Sequence, residues 1–184
     1  MSINKSERTA SALLVIDVQV GVVQDAHLRD EKVSNIATAV AKARAQAIPV
    51  IWVRHSEEEL PIGSDSWQIV PELTPLAGEP IVEKLFRSSF VETDLGEHLS
   101  RLNVGHIYIC GAETNNCVRH TSHTALELGF DITLIADAHT TTGFEWNGFE
   151  VDAARTIDEQ NINFMSYSLP HSTAKAVKVA ELFN

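Results

Sequence analysis

The sequence feature that most restricts the fold is a nearly continuous apolar run at residues 12–18 (ALLVIDV), interrupted by one acid. Runs without polar alternation are typical of strands that are buried on both faces of a parallel sheet. An apolar helical stripe follows at 31–47, and 50–53 (VIWV) has the pattern of a second buried strand. This alternation predicts an α/β fold with a doubly wound, mostly parallel sheet that is flanked by helices on both faces.

Strands and helices continue to alternate along the rest of the chain. Further strands are predicted at 81–83, 106–110, 131–136 and within 163–169. Further helices are predicted through Leu95, Leu99 and Leu102 and at 118–128, 149–161 and 171–183. Two segments with little periodicity, 55–80 and 139–148, are predicted to be loops, and long loops in compact domains are often functional. No repeat or linker divides the chain, so residues 1–184 are interpreted as a single domain.

The acidic composition narrows the choice of partners. The net charge is −11, whereas a nucleic-acid-binding surface would leave a basic footprint and an anionic membrane would repel this chain. The N-terminus is polar and no apolar run approaches the ~20 residues of a membrane span, so we expect a cytoplasmic protein. Two cysteines without metal-binding spacing predict neither a disulfide framework nor a metal or cofactor. The expected partner is therefore a small-molecule substrate.

Three residues that could carry chemistry follow predicted strands. Asp17 ends the first strand, Lys84 follows the strand at 81–83, and Cys117 lies in the GAETNNC turn after the strand at 106–110. Ligands of open parallel sheets bind at the carboxyl ends of the strands, so these three side chains are expected to meet there.

Cys117 has two interpretations from its position alone. The polar residues before it are good helix N-cap types, so the thiol is expected in the first helical turn, where N–H groups and the helix dipole would lower its pKa. A small buried side chain that packs strand against helix is an equally good interpretation. Cys110 lies within an apolar strand, where core packing is the better interpretation.

Asp17 and Lys84 also have structural alternatives. As a general base, Asp17 could take the thiol proton from Cys117, but a carboxylate bonded to backbone amides is the better interpretation of Asp17 alone. A cation at Lys84 would favour the charged forms of both neighbours, although most lysines are solvated on the surface. Only the combination of the three residues argues for a catalytic site.

The combination resembles a known family. Three stretches occur in its order: ALLVIDVQ, VEKLFRSSF and ICGAETNNCVRHTSHTALELGFDITLIADAHTT. Across residues 12–142 they are similar to the isochorismatase-like cysteine hydrolases. The resemblance implies a Rossmann-like fold and a catalytic triad of Asp17, Lys84 and Cys117. It also implies that Gln19 holds the region around Asp17.

The resemblance further implies how the nucleophile is surrounded. The peptide bond Ala112–Glu113 would be cis, and the backbone N–H groups of Glu113 and Cys117 would form an oxyanion hole. The thiolate would attack a carbonyl or similar carbon, ammonia or an amine would leave, and water would hydrolyse the thioester. Because members of the family often assemble, a homodimer or homotetramer is expected.

Departures from the family pattern narrow the substrate. Nicotinamidases of the family bind a metal through an Asp-x-His pair and a further His, whereas this chain keeps His55 without that spacing. Isochorismatases proper hydrolyse a vinyl ether and usually lack the cysteine, so Cys117 favours cleavage of an amide, carbamoyl or similar C–N bond. Glu113 replaces a small residue and would either repel anionic substrates or point to solvent.

Several residues are candidates for the walls of the substrate pocket. The candidates are Gln19, Trp67, Phe86, Phe144 and Trp146, and each aromatic side chain could equally belong to the core or to a subunit interface. Arg87 could bind a substrate anion or pair with a surface acid, and His120 and His139 are weaker candidates. Three rival functions remain: an ether hydrolase in which Cys117 is idle, a non-catalytic ligand-binding scaffold, and a redox sensor.

Overall fold

The computed structural model describes residues 8–183, which form one seven-stranded sheet, a small hairpin and five α-helices. The strands are β1 Ala10–Ile16, β2 Val50–His55, β3 Ile81–Lys84, β4 Val104–Ala112, β5 Asp131–Thr140, β6 Phe144–Trp146, β7 Phe149–Val151, β8 Ser168–Leu169 and β9 Ser172–Val177. The helices are α1 Val20–Val23, α2 Arg29–Ala45, α3 Leu95–Arg101, α4 Arg119–Glu127 and α5 Ala153–Met165.

The main sheet is parallel except at one edge. Its strand order is β3-β2-β1-β4-β5-β9-β8, and only the pairing of β8 with β9 is antiparallel within it. The hairpin pairs β6 with β7. Within residues 8–183 no helix is both long enough and apolar enough to cross a membrane.

Apolar side chains on the two faces of the sheet form two separate cores. Along β1, Leu13 and Val15 contribute to one core, whereas Leu14 and Ile16 contribute to the other. Helix α2 packs on the first face, and α3, α4 and α5 pack on the second. Each fully buried side chain of this size stabilises the fold by about 1.5–3 kcal/mol. The predicted doubly wound α/β architecture is confirmed.

The order of the strands reverses beside β1. From β1 the chain moves outward through β2 and β3, and it then returns to β4 on the other side of β1 before continuing to β5 and β9. In sheets of this kind the reversal opens a crevice at the carboxyl ends of the two central strands. Asp17 follows β1 and the GAETNNC turn follows β4, so both lie at this crevice.

Gly111 keeps the two central strands close at the crevice. Its φ is +122°, and a Cβ built there would lie 2.0 Å from the Ile16 carbonyl oxygen. A side chain at this position would therefore force β1 and β4 apart. We expect Gly111→Ala to lower the free energy of unfolding by about 1–3 kcal/mol, measured by urea denaturation.

Gly96 provides the matched control for this prediction. It lies in α3, and an added Cβ would have no atom within 4 Å, so Gly96→Ala is expected to stabilise the fold by about 0.5 kcal/mol. Equal stability of the two variants would show that the close approach at Gly111 does not matter.

The prediction of a helix at 171–183 is wrong. Residues Ser172–Val177 form β9, which pairs with β5 in a parallel ladder, and a 3₁₀ turn follows at Val179–Glu181. Spacing of Ala and Val that fits a helical stripe also fits a strand, and the free edge of β5 decides between them. The strand predicted within 163–169 is shorter in the structure: residues 163–165 are the end of α5, and the strand portion is the two-residue β8.

Two other boundaries differ from the prediction. The helix predicted at 149–161 begins at Ala153, because the side chain of Asp152 caps it by accepting a hydrogen bond from the Arg155 N–H (2.8 Å). Residues 149–151 instead form β7. The segment 139–148, which was predicted to be a loop, contains the end of β5 and the strand β6.

Candidate active site

Lys84 lies between the two other residues of the predicted triad. Its Nζ is 2.6 Å from Asp17 Oδ2 and 3.2 Å from Cys117 Sγ. The side chain of Lys84 is 0% exposed and that of Asp17 is 1% exposed, so the pair is shielded from bulk water. The structure therefore brings together three residues that are separated by up to 100 positions in the chain.

The end of a different strand positions each of these three side chains. Lys84 is the last residue of β3, and Cys117 lies in a π-helical turn, Thr114–Val118, between β4 and α4. Asp17 follows β1 with a φ of +49°, a left-handed conformation that is uncommon for residues other than glycine. Its N–H donates to the Val53 carbonyl (3.0 Å), which ties this bend to β2.

A cavity of about 350 Å³ opens beside the thiol, a size that suits a small ligand. Its lining comprises Asp17, Val22, His55, Glu57, Leu85, Phe86, Arg87, Glu113, Asn116 and Cys117. A second cavity of about 400 Å³ shares Val22, Glu57 and Glu113 with it. The shared residues make the two cavities parts of one cleft.

The electrostatics of Cys117 differ from the prediction. Burial raises the pKa of its thiol to about 12, and the neighbouring Asp17 carboxylate acts in the same direction, while Lys84 opposes both. The expectation that this pKa is lowered is wrong, because the loss of solvent and the charge of Asp17 together outweigh the Lys84 cation. At neutral pH Cys117 is therefore a thiol.

Asp17 is perturbed in the same direction. Burial raises the pKa of its carboxyl, and the Lys84 ammonium lowers it by less. Neither oxygen of the Asp17 carboxyl has a hydrogen-bond donor among the described residues, so its contact with Lys84 at 2.6 Å is an ion pair. The raised pKa of this carboxyl lies closer to neutral pH, and a general acid or base is most efficient when its pKa is near the operating pH.

Gln19 joins three segments around the site. Its side-chain amide donates to the carbonyls of His55 (2.9 Å) and Trp67 (2.8 Å), and its Oε1 accepts from the His55 N–H (2.7 Å). The residue is fully buried and is absent from the lining of the two cavities. It therefore holds the region around Asp17, as the resemblance implies, but does not form a pocket wall.

Glu113 is held at the mouth of the cleft. The peptide bond between Ala112 and Glu113 is cis. The Glu113 carboxylate accepts hydrogen bonds from the Asn116 side-chain amide (2.7 Å) and from the Thr142 hydroxyl (3.2 Å). This carboxylate is thus turned along the cavity wall and anchored to the segment after β5.

His139 contacts the turn that carries Cys117 on the side away from the cavity. Its Nδ1 lies 2.8 Å from the Thr114 hydroxyl and its Nε2 lies 3.0 Å from Asn161 Oδ1. Complete burial lowers the pKa of the imidazole to about 4, so the ring is neutral at physiological pH. It connects β5 and α5 with the turn that carries Cys117 and does not line the cavity.

The aromatic candidates separate into different environments. Phe86 lines the cavity around Cys117, together with Arg87. Trp67 is buried beneath the guanidinium of Arg54, which lies 3.7 Å from its ring centroid, and so it belongs to the core. Phe144 and Trp146 are exposed on β6 and lie outside the lining of both cavities. Their alternative location, a subunit interface, stays a prediction.

The remaining cysteine and histidines lie off the cavity. Cys110 is fully buried in β4, and burial raises its thiol pKa, as the core-packing interpretation requires. His120 is exposed, with its Nδ1 2.8 Å from the Asn116 carbonyl oxygen. Throughout residues 8–183, no three His, Cys, Asp or Glu side chains are grouped closely enough to hold a metal ion.

The comparison with family sequences decides the classification. The family model of the isochorismatase domain matches residues 11–160. The chain belongs to the isochorismatase family. A solved isochorismatase-hydrolase structure from Oleispira antarctica has a TM-score of 0.83 at 27% identity, covering 99% of this chain and 98% of that one.

Two curated isochorismatase-family relatives have names that state an activity. A streptothricin hydrolase from Streptomyces noursei is 32% identical over 136 residues, which cover 71% of this chain and 49% of the relative. The match thus spans about half of that longer protein. A ureidoacrylate amidohydrolase, RutB, from Cronobacter sakazakii is 25% identical over 170 residues, covering 70% of this chain and 73% of the relative.

Sequence reasoning missed one neighbour of the triad. His55 entered only as a remnant of a metal site, yet its Nδ1 lies 3.3 Å from Lys84 Nζ. The two residues are partners in the β2–β3 register. The available signal was that a polar residue lies at the end of each of these two strands. The sequence did not show that the two strands are neighbours in the sheet.

Proposed function

We propose that this isochorismatase-family chain is a cysteine hydrolase that cleaves an amide, carbamoyl or similar C–N bond of a small molecule. The observation that carries the proposal is the Lys84 ammonium, which contacts both the Asp17 carboxylate and the Cys117 thiol at the wall of the cavity. The activities in the names of the relatives, a hydrolase and an amidohydrolase, support the same class of reaction.

In the first half-reaction, Cys117 forms a thioester. The thiol proton moves to Asp17 while the sulfur attacks the substrate carbonyl carbon, and the C=O electron pair moves to oxygen. When that oxyanion collapses, the C–N bond breaks and Asp17 returns the proton to the leaving nitrogen. Lys84 stabilises the negative charge that develops on sulfur and then on Asp17. The half-buried thiol needs such a partner because its own pKa is about 12.

The second half-reaction restores the thiol. Asp17 takes a proton from a water molecule as the water oxygen attacks the thioester carbonyl. The C–S bond breaks and Cys117 recovers its proton from Asp17, so one water is consumed and a carboxylic acid and an amine are released. The backbone N–H groups of Glu113 and Cys117 are assigned to the oxyanion in both halves, where each such donor is worth about 10²–10³ in rate.

The carboxylates that line the cleft affect which substrate charge it favours. Glu57 and Glu113 line both cavities, and Asp25 and Glu59 add two carboxylates to the second one. The cavity around Cys117 also contains the guanidinium group of Arg87. Like charges across such a cleft repel, so we expect neutral or cationic amides to be better substrates than anionic ones of the same size.

An activity screen tests the proposal. Matched sets of small amides and carbamoyl compounds, each with a neutral, a cationic and an anionic member, are assayed for release of ammonia or amine. We expect turnover by the wild type and none by Cys117→Ala. Mass spectrometry of the quenched intact protein should show the acyl group as an adduct on Cys117.

The controls separate the rival functions. Cys110→Ala should remain active, because that thiol is buried away from the cavity. Full activity of Cys117→Ala would exclude the thioester mechanism and favour an ether-hydrolase type of reaction. A thiol that forms no adduct with any member of the panel, together with no turnover, would favour a non-catalytic scaffold.

A further inference from the structure

We propose that His55 is a positioning residue that holds the Lys84 ammonium in its catalytic orientation. The proposal rests on the proposed function of Asp17, Lys84 and Cys117. It adds a fourth side chain that touches the lysine instead of the reacting atoms.

The hydrogen-bonding capacity of lysine limits what can surround its ammonium group. An ammonium group has three N–H donors and no acceptor. Three partners surround Lys84 Nζ: Asp17 Oδ2 at 2.6 Å, Cys117 Sγ at 3.2 Å and His55 Nδ1 at 3.3 Å. Asp17 is the ion-pair partner, and Cys117 and His55 are the two hydrogen-bond acceptors. Of these three neighbours, the imidazole is the one that does not take part in the proposed reaction.

The contact also determines the tautomer of His55. Because the ammonium cannot accept a hydrogen bond, Nδ1 must be the acceptor and the ring proton must be on Nε2. On that side Nε2 lies 3.5 Å from the Glu57 carboxylate, which favours a proton there. Glu57 and Lys84 thus approach opposite nitrogens of the ring, and both favour the same tautomer.

The backbone of His55 is fixed in place as well. Gln19 binds both its N–H (2.7 Å) and its carbonyl (2.9 Å). The parallel register pairs His55 directly with Lys84. The acceptor is therefore presented by a rigid strand end instead of a loop, as a precise positioning contact requires.

The contact with His55 restricts the directions in which the N–H donors of Lys84 point. A lysine ammonium on a flexible stem can rotate its three donors freely, and without a third acceptor it could turn a donor away from the sulfur toward the cavity. With His55 in place, two donors stay on Asp17 and Cys117 throughout the reaction. His55 is thus expected to affect the chemical step more than substrate binding.

Two substitutions of the same residue test the proposal. His55→Asn keeps an acceptor, because its Oδ1 is as many bonds from the backbone as Nδ1. His55→Phe keeps a ring but has no acceptor. With an amide from the screen, we expect His55→Phe to lower kcat about 10- to 100-fold, the effect of losing one hydrogen bond to a charged group, with little change in KM. His55→Asn should stay within a few-fold of the wild type.

A second measurement needs no substrate. Lys84 favours the thiolate of Cys117, so a lysine that turns away leaves less thiolate and slows alkylation by iodoacetamide. We expect slower alkylation of Cys117 in His55→Phe and near-normal alkylation in His55→Asn. His171→Phe, an exposed residue between β8 and β9, is the matched control and should change neither measurement.

The outcomes distinguish the two proposals. If no amide is hydrolysed by the wild type, the proposed function fails, whereas the alkylation rates still decide the role of His55. Equal losses in His55→Phe and His55→Asn, or no loss in either, would overturn the positioning role. His55→Leu serves as the acceptor-free variant if urea denaturation shows that His55→Phe does not fold.

Discussion

Replacing Asp17 by Asn is expected to abolish hydrolysis and, at the same time, to make the Cys117 thiol more reactive toward iodoacetamide. The two effects have one cause. In the proposed mechanism the Asp17 carboxylate accepts the thiol proton during turnover, so its loss should reduce kcat by about 10²–10⁴. Its negative charge also raises the pKa of the thiol, and asparagine removes that charge.

The sign of the pKa change gives the direction of the second effect. A raised pKa means that less thiolate is present at any given pH, so removing a cause that raises it increases the thiolate fraction. Lys84 remains beside the sulfur and still favours the thiolate. Below the thiol pKa, each unit by which that pKa falls multiplies the alkylation rate by about ten.

The measurement is the second-order rate constant for alkylation between pH 6 and pH 11. The wild-type rate should still be rising at pH 11, because the thiol pKa is about 12, and the Asp17→Asn curve should lie at lower pH. Cys117→Ala provides the blank for Cys110. Slower alkylation of Asp17→Asn than of the wild type would contradict the inference that the carboxylate suppresses the resting thiolate.

The sequence was informative about strand ends because that information is local. Asp17, Lys84 and Cys117 each follow a short apolar run, and the carboxyl ends of parallel strands share one edge of the sheet. The resemblance supplied the hypothesis that the three residues act together, which spacing alone left open. Doubly wound topology was equally accessible, since β1 and β2 are apolar on both faces.

What the sequence could not supply depends on contacts between distant residues. Burial is the largest cause of the raised pKa of Cys117, and the carboxylate of Asp17, at the end of the distant strand β1, acts in the same direction. Trp67 is a core residue because Arg54 of β2 covers it. Residues 172–177 form a strand because β5 offers an unpaired edge, although their spacing also fits a helix.

The buried ion pair makes the second prediction with a large effect. Lys84→Met leaves the Asp17 carboxylate buried without its cation, and breaking a buried pair from one side costs about 3–5 kcal/mol of the free energy of unfolding. Asp17→Asn leaves Lys84 unpaired and should cost a similar amount. The double variant Asp17→Asn, Lys84→Met removes both charges and should lose less stability than the sum of the single variants.

The pH dependence of this loss follows from the Asp17 pKa. In the wild type Lys84 opposes the effect of burial, so its removal raises the pKa of Asp17 further. A carboxyl whose pKa in the folded state is raised contributes stability that is present below its unfolded value of about 4 and is lost as the pH rises through the folded value. Lys84→Met should therefore lose more stability at pH 8 than at pH 5.

Urea denaturation of the wild type, both single variants and the double variant at the two pH values measures the coupling. Arg29→Met is the matched control, because its partner Glu72 is well exposed and surface ion pairs contribute at most about 1 kcal/mol. If the double variant is as unstable as the sum of the single variants, Asp17 and Lys84 do not stabilise each other. If it recovers stability yet remains inactive, the buried pair is retained for the chemistry at Cys117, since neutral side chains then satisfy the fold equally well.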